Sequence, residues 1–177
     1  MESYLPAVYI LILLGLLGGA SWFVLKQVFK TRKLESSLSK LQAQLQQGKG
    51  TTQEYFELGS IYLSKNISVQ AIAQFQKALK AAELEGETSI APIYNALGYA
   101  YFLQEQYDLA IRNYKEALKL NPNYVTALNN LGHAYERKNL SAQALEAYEQ
   151  SLEKDDKNAI ARQRATALRR RLVTSNG

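Results

Sequence analysis

Apolar and polar positions follow several successive patterns along this chain. From Ser3 to Leu25 there is no alternation: 23 consecutive residues are uncharged and dominated by Leu, Ile, Val, Gly and aromatics. Such a run exceeds the roughly 20 residues needed to cross about 30 Å of hydrocarbon, so it predicts a membrane-spanning helix. Leu34, Leu38, Leu41 and Leu45 then recur at spacings of four, three and four. That spacing predicts a helix continuing over 26–47 with one leucine stripe, which Gly48-Lys49-Gly50 breaks as a hinge. From 51 to 158 apolar residues fall at helical spacing in short segments between turn residues, which predicts paired amphipathic helices. The last segment, Ala159–Leu172, sets Ile160, Ala161, Ala165, Leu168 and Leu172 on one stripe. It reads as a solvated capping helix followed by a frayed tail, Val173–Gly177.

The paired segments repeat. Between Ala91 and Tyr124, an aromatic, Leu, Gly, Tyr, Ala, aromatic, Ala and Pro stand at Tyr94, Leu97, Gly98, Tyr101, Ala110, Tyr114, Ala117 and Pro122. Moving forward 34 residues gives Leu128, Leu131, Gly132, Tyr135, Ala144, Tyr148 and Ser151, with Asp156 in the proline position. Moving back 39 residues from Gly98 gives Gly59, with Tyr55, Leu58, Tyr62, Ala71, Phe75 and Ala78 in register. The five extra residues fall in Leu84–Ser89 and should lengthen a helix end or loop. A glycine on a helix face lets a second helix approach closely, and a small alanine does the same from the other side. Asp108 is placed to cap the second helix, and Asn121-Pro122 to end it. This spacing resembles the tetratricopeptide repeat (TPR). It implies an all-α fold: a three-repeat TPR solenoid (52–90, 91–124, 125–158) with a C-terminal capping helix, preceded by one transmembrane helix.

Four domains follow: an anchor (1–25), a basic neck and hinge (26–50), the repeats (51–158), and a basic capping helix and tail (159–177). The net charge of +5 is segregated among them. The anchor carries only Glu2, the neck six bases against Glu35, the repeats ten bases against fourteen acids, and the last segment five arginines. A mildly acidic body flanked by basic ends is not a uniformly basic nucleic-acid binder. With no cysteine and one histidine, His133, thiolate and multi-histidine metal sites are excluded within one chain.

The bases Lys26, Lys30, Arg32 and Lys33 follow the apolar run, and only Glu2 precedes it. The positive-inside bias therefore puts the amino terminus outside and the rest on the cytoplasmic or stromal side. Tyr4, Tyr9, Trp22 and Phe23 suit the two interfaces. A cleaved signal peptide is disfavoured, because the start lacks a positive side chain and the apolar core is too long. Gly15 and Gly19 form a G-x-x-x-G through which two membrane helices could meet, although glycine is simply frequent in such helices.

Catalysis is not expected. No nucleophile stands with a base, and no glycine-rich nucleotide loop or paired carboxylates are framed by an element. The GKGTT string lacks the spacing and preceding strand of a phosphate loop. Asn66-Ile67-Ser68 and Asn139-Leu140-Ser141 fit the glycosylation pattern but fall in interhelix turns on the wrong side of the membrane. No cofactor, metal, nucleic-acid or small-molecule partner is expected; the partners are membrane lipid, through residues 3–25, and proteins.

By resemblance to other TPR proteins, the first helices line a concave groove. The facing side chains are Phe56, Ser60 and Leu63, then Asn95, Tyr99 and Phe102, then Asn129, Asn130, His133 and Glu136. Co-chaperones that hold acidic carboxyl termini use lysine, asparagine and arginine at positions that here hold Phe56, Ser60, Ala96, Thr126 and Asn130. That clamp is absent. What remains is a row of aromatic and amide groups, able to pair with a peptide backbone and bury apolar side chains. Tyr99 and His133 read equally well as packing between repeats. The basic surface formed by Arg162, Arg164, Arg169, Arg170 and Arg171 suits anionic lipid headgroups.

The whole layout, carried in the repeats by ALGYAYFLQEQYDLAIRNYKEALKLNPNY and ALNNLGHAYE, resembles a known family. These are the membrane-anchored thylakoid TPR proteins of cyanobacteria and plastids that assist photosystem I assembly (hypothetical chloroplast reading frame thirty-seven, Ycf type). The resemblance covers residues 1 to about 172. It implies a non-catalytic scaffold that binds photosystem I subunits or assembly intermediates at the thylakoid membrane. A generic anchored adaptor and a permanent structural subunit of a membrane complex remain the alternatives.

Overall fold

The computed structural model describes residues 5–45, 48 and 50–175. Among these the chain forms eight α-helices and no strand. They are α1 (Leu5–Leu45), α2 (Thr52–Ser64), α3 (Ser68–Glu85), α4 (Ala91–Leu103), α5 (Tyr107–Leu120), α6 (Val125–Arg137), α7 (Ser141–Lys154) and α8 (Ala159–Ser175). The chain divides into two compact units, Met1–Gln44 and Leu45–Gly177.

In the first unit, α1 runs unbroken through 41 residues, about 60 Å at 1.5 Å per residue. Every side chain from Val8 to Phe29 is exposed. Within α1 lies a stretch long and apolar enough to cross a membrane. Glu2, which the sequence reading set before the span, and Ser3 and Tyr4 at its start lie outside the described residues, as do Lys49 of the hinge and the last two residues of the tail. Gly48, with φ of 71°, takes the left-handed conformation that glycine tolerates without penalty.

The second unit stacks three antiparallel pairs, α2/α3, α4/α5 and α6/α7, with α8 against α7. Each pair closes through its glycine. A Cβ on Gly59, Gly98 or Gly132 would meet the ring of Phe75, Tyr114 or Tyr148 at 2.6, 2.7 and 2.8 Å respectively. These three rings are among the most completely buried side chains. Burying such a side chain contributes about 2–3 kcal/mol of transfer free energy. Between repeats, Ala110 and Tyr114 pack with Leu131, Ala134 and Ala147, and Ala144 and Tyr148 pack with Ala161, Ala165 and Leu168.

Each pair turns the same way. Asn66, Glu105 and Asn139 adopt φ of 59°, 57° and 59° just after the first helix. The next N–H then bonds back to a tyrosine carbonyl: Ile67 to Tyr62 at 2.9 Å, Gln106 to Tyr101 at 3.0 Å, and Leu140 to Tyr135 at 2.9 Å. These backbone bonds satisfy orphan carbonyls at the helix end. They also bring Gln106 to the position before α5, so Asp108 is not its cap. Asp108 lies in the first turn, where its charge suits the helix dipole, and it pairs with Lys138. The extra residues of the first repeat make α3 an 18-residue helix, against 14 for α5 and α7, ended by Gly86 at φ 67°.

The carboxyl-terminal helix differs from expectation in two respects. Ala161, Ala165 and Leu168 are buried, but Ile160 is 62% exposed. One residue is 100° of helix, which carries Ile160 off the buried stripe. Nor does the helix fray at Val173, because α8 continues to Ser175.

Candidate interaction groove on the first helices

The first helices, α2, α4 and α6, present the residues that the sequence assigned to the groove. Asn130 donates its amide to the Asn95 carbonyl oxygen at 3.0 Å, joining the second and third repeats. Asn95 also hydrogen-bonds the Tyr124 hydroxyl; burial raises that phenol's pKa and this bond offsets part of the rise. Phe102 stacks obliquely on His133, with centroids 4.7 Å apart, and lies 5.4 Å from Tyr107. Phe56 packs on Phe75 of its own repeat at 5.7 Å. Tyr99 stands out as 43% exposed, whereas its neighbours Asn95 and Phe102 are half-buried. The structure therefore brings Asn95, Asn130, Phe102 and His133 into one contiguous wall, with Tyr99 projecting from it.

Asn129 has a different immediate partner. Its carbonyl oxygen accepts the Ser151 hydroxyl at 2.8 Å, Asn158 donates to that hydroxyl at 3.0 Å, and the Asn158 carbonyl oxygen accepts the Ala161 N–H at 3.1 Å. Ser151 occupies the alanine position of the repeat and is fully buried, so its hydroxyl requires these partners. The departure Ala→Ser and the asparagine after the turn were the two visible signals of this network. Ser151 stands out against the repeat pattern, but its link to Asn129 depends on which helix faces which.

The far end of the wall is polar. Glu136 accepts the Tyr148 hydroxyl at 2.7 Å and lies 3.5 Å from Arg164 of α8. Burial, then the bond and charge of Glu136, push the Tyr148 phenol well above its ordinary range. His133 is held below the usual imidazole pKa, first by burial and then by the positive charge of Arg164, with Glu136 opposing. The imidazole is therefore neutral at pH 7.

The five arginines separate by partner. Arg164 pairs with Glu136, Arg169 makes two bonds to Glu149 at 2.6 and 3.1 Å, and Arg162 donates to the Asp156 carbonyl. Arg170 and Arg171 are exposed. On α1, Gly15 and Gly19 face open space, with nothing within 4 Å of an added Cβ. Among the described residues no group of three or more His, Asp or Glu side chains could hold a metal ion.

These helix pairs, each interlocked by a glycine and an aromatic ring, define a TPR domain. Models described as TPR repeat and Tetratricopeptide repeat match residues 98–139 and 127–160. Among solved structures, the crystal structure of MamA is similar at a TM-score of 0.71 and 22% identity, over 78% of each chain. YrrB, described as a TPR protein with an unusual peptide-binding site, is similar at 0.66 and 24% identity, over 78% of this chain and 69% of that one. At such identities the likeness shows the fold alone.

Sequence relatives carry the family. The chain is 36% identical over 177 residues to the ycf37 protein of Guillardia theta, covering 98% of this chain and 97% of that one. It is 36% identical over 172 residues to the ycf37 protein of Cyanophora paradoxa, covering 95% and 97%. It is 39% identical over 169 residues to the tetratricopeptide repeat domain-containing protein PYG7, chloroplastic, of Arabidopsis thaliana, covering 96% of this chain but only 56% of that relative. The chain belongs to the ycf37 family, in line with the resemblance read from its repeats. It is a TPR protein-interaction scaffold.

Proposed function

We propose that this scaffold is anchored by α1 in the thylakoid membrane, where its groove holds a segment of photosystem I or of an assembly intermediate. The observation that carries the binding reading is the wall of α4 and α6. An exposed Tyr99 stands beside the Asn95–Asn130 pair and the Phe102–His133 stack, and none of these five side chains is charged at pH 7. Such a surface recognises a partner by burying apolar side chains and pairing amides with its backbone. The exposed apolar stretch of α1 from Val8 to Phe29 supports the anchor, and the chloroplast relative and the family resemblance support the location.

The experiment is co-migration of a tagged chain in mild detergent on a native gel. Photosystem I subunits should travel with it, and Tyr99→Ala should weaken their association more than tenfold without changing helix content. Truncation of an aromatic anchor at an interface centre commonly costs about 1–4 kcal/mol. Absence of photosystem I subunits from the band would overturn the assembly reading and leave a general anchored adaptor.

A further inference from the structure

Ala159 opens α8 34 residues after Val125 opens α6, as Val125 follows Ala91 of α4. α8 therefore stands in the place of the first helix of a fourth repeat, and its positions correspond to those that line the groove in α4 and α6. Thirty-four residues on from Asn129, Asn130, His133 and Glu136 stand Gln163, Arg164, Ala167 and Arg170, with Arg171 next to the last and Ile160 in the place of the exposed Thr126. Two observations put Arg164 in the groove rather than on a separate cap. It lies 3.5 Å from Glu136 of α6, and its charge acts on His133. The same register accounts for Ile160, whose 62% exposure makes no sense on a buried stripe and follows from a position on an open wall.

We infer that the groove and the basic surface are one continuous binding face, graded from uncharged aromatic groups to unneutralised arginines. The inference rests on the groove reading above and names its occupant. The occupant is an extended protein segment whose apolar side chains lie at Tyr99 and Phe102, and whose acidic residues lie beyond them at Arg170 and Arg171. Charge carries that choice. Residues 159–177 contain five arginines and no acid. Glu136 and Glu149 neutralise Arg164 and Arg169, and a backbone carbonyl takes up Arg162. Arg170 and Arg171 are left facing solvent on the rung next to the wall. Carboxylates are the groups that such guanidinium pairs hold in forked geometry. Apolar burial supplies the affinity at one end, and the charged end fixes the direction in which the segment lies.

The test uses the full chain in membranes of its native host, with a photo-reactive benzoylphenylalanine at Tyr99 in one variant and at Arg170 in another. Both positions should cross-link the same segment of the same protein, apolar residues to Tyr99 and acidic residues to Arg170. Combining Arg170→Glu with Arg171→Glu should cut the Tyr99 adduct at least tenfold. Lysine at both positions should retain most of it, and added salt should restore part of the Glu variant's loss. Melting by circular dichroism checks that both exposed changes leave the fold intact. An adduct at Tyr99 with a different protein, or with lipid alone, at Arg170 overturns the continuous face and leaves the groove reading standing. No adduct at Tyr99 overturns both.

Discussion

At Gly98 two preferences oppose each other. Alanine is the better helix former by about 1 kcal/mol, yet its Cβ would stand 2.7 Å from the Tyr114 ring and 3.2 Å from the Ala110 carbonyl oxygen. The ring is fully buried and the carbonyl is backbone, so neither can retreat. Overpacking of this kind costs about 1–3 kcal/mol, and Gly98→Ala should lower the melting temperature rather than raise it. Glu105 is the opposite case. It holds φ of 57° where the equivalent positions of the other repeats hold asparagine, and its contact with Arg137 at 3.6 Å is solvent-exposed. A left-handed conformation costs an ordinary residue about 1–2 kcal/mol and is visited readily by asparagine. Glu105→Asn should therefore stabilise the domain by about 0.5–1 kcal/mol in denaturant titration. His133 is the one histidine, so its ring resonances can be followed by NMR without overlap from another imidazole. Its folded pKa is depressed, so the unfolded chain binds more protons as pH falls below about 6.5. Its contribution to stability is complete above that value and is lost as pH falls toward the folded pKa. Direct titration should place the midpoint below 6.5, and His133→Gln should flatten stability between pH 7 and the folded midpoint.

Among elements, α8 depends on a few polar ties. Asn158 both caps it and donates to Ser151, so Asn158→Ala removes a cap and unsettles a buried hydroxyl. Loss of an asparagine cap costs about 0.5–2 kcal/mol. Amide exchange should quicken in α8 well before it quickens in α4. The contrast between these helices also marks what the sequence revealed. Tyr94, Leu97, Gly98 and Tyr101 face neighbours fixed by the repeat itself, so their packing partners could be read from spacing alone. Asp108 misled because a backbone turn, which leaves no side-chain trace, moved the helix start. Ile160 misled because an apolar residue was assumed to be buried. Asn129 was assigned to the groove by its position. Ser151, 22 residues later, claims its carbonyl oxygen, and that pairing depends on which helix faces which.

For the molecule as a whole, the exposed apolar length of α1 predicts that the chain resists extraction by alkaline carbonate, whereas a chain lacking residues 1–25 should be released as a soluble helical protein. Protease added to the cytoplasmic or stromal side should digest the repeats, and digestion from the lumenal side alone would refute the orientation drawn from Lys26, Lys30, Arg32 and Lys33. The shared turns and glycine contacts have one more consequence, for length. Residues 91–124 begin and end at equivalent points of the stack, and Val125 follows them in the same register as Ala91. A second copy of that segment inserted after Tyr124 would offer α5 the same Leu, Ala and Tyr positions that it already meets on α6. The gene can thus gain a whole rung by in-frame duplication, the one new junction, α5 against the copied α4, being built at positions equivalent to those of α5 against α6, whereas an insertion that is not a whole number of repeats would leave one helix facing a stranger.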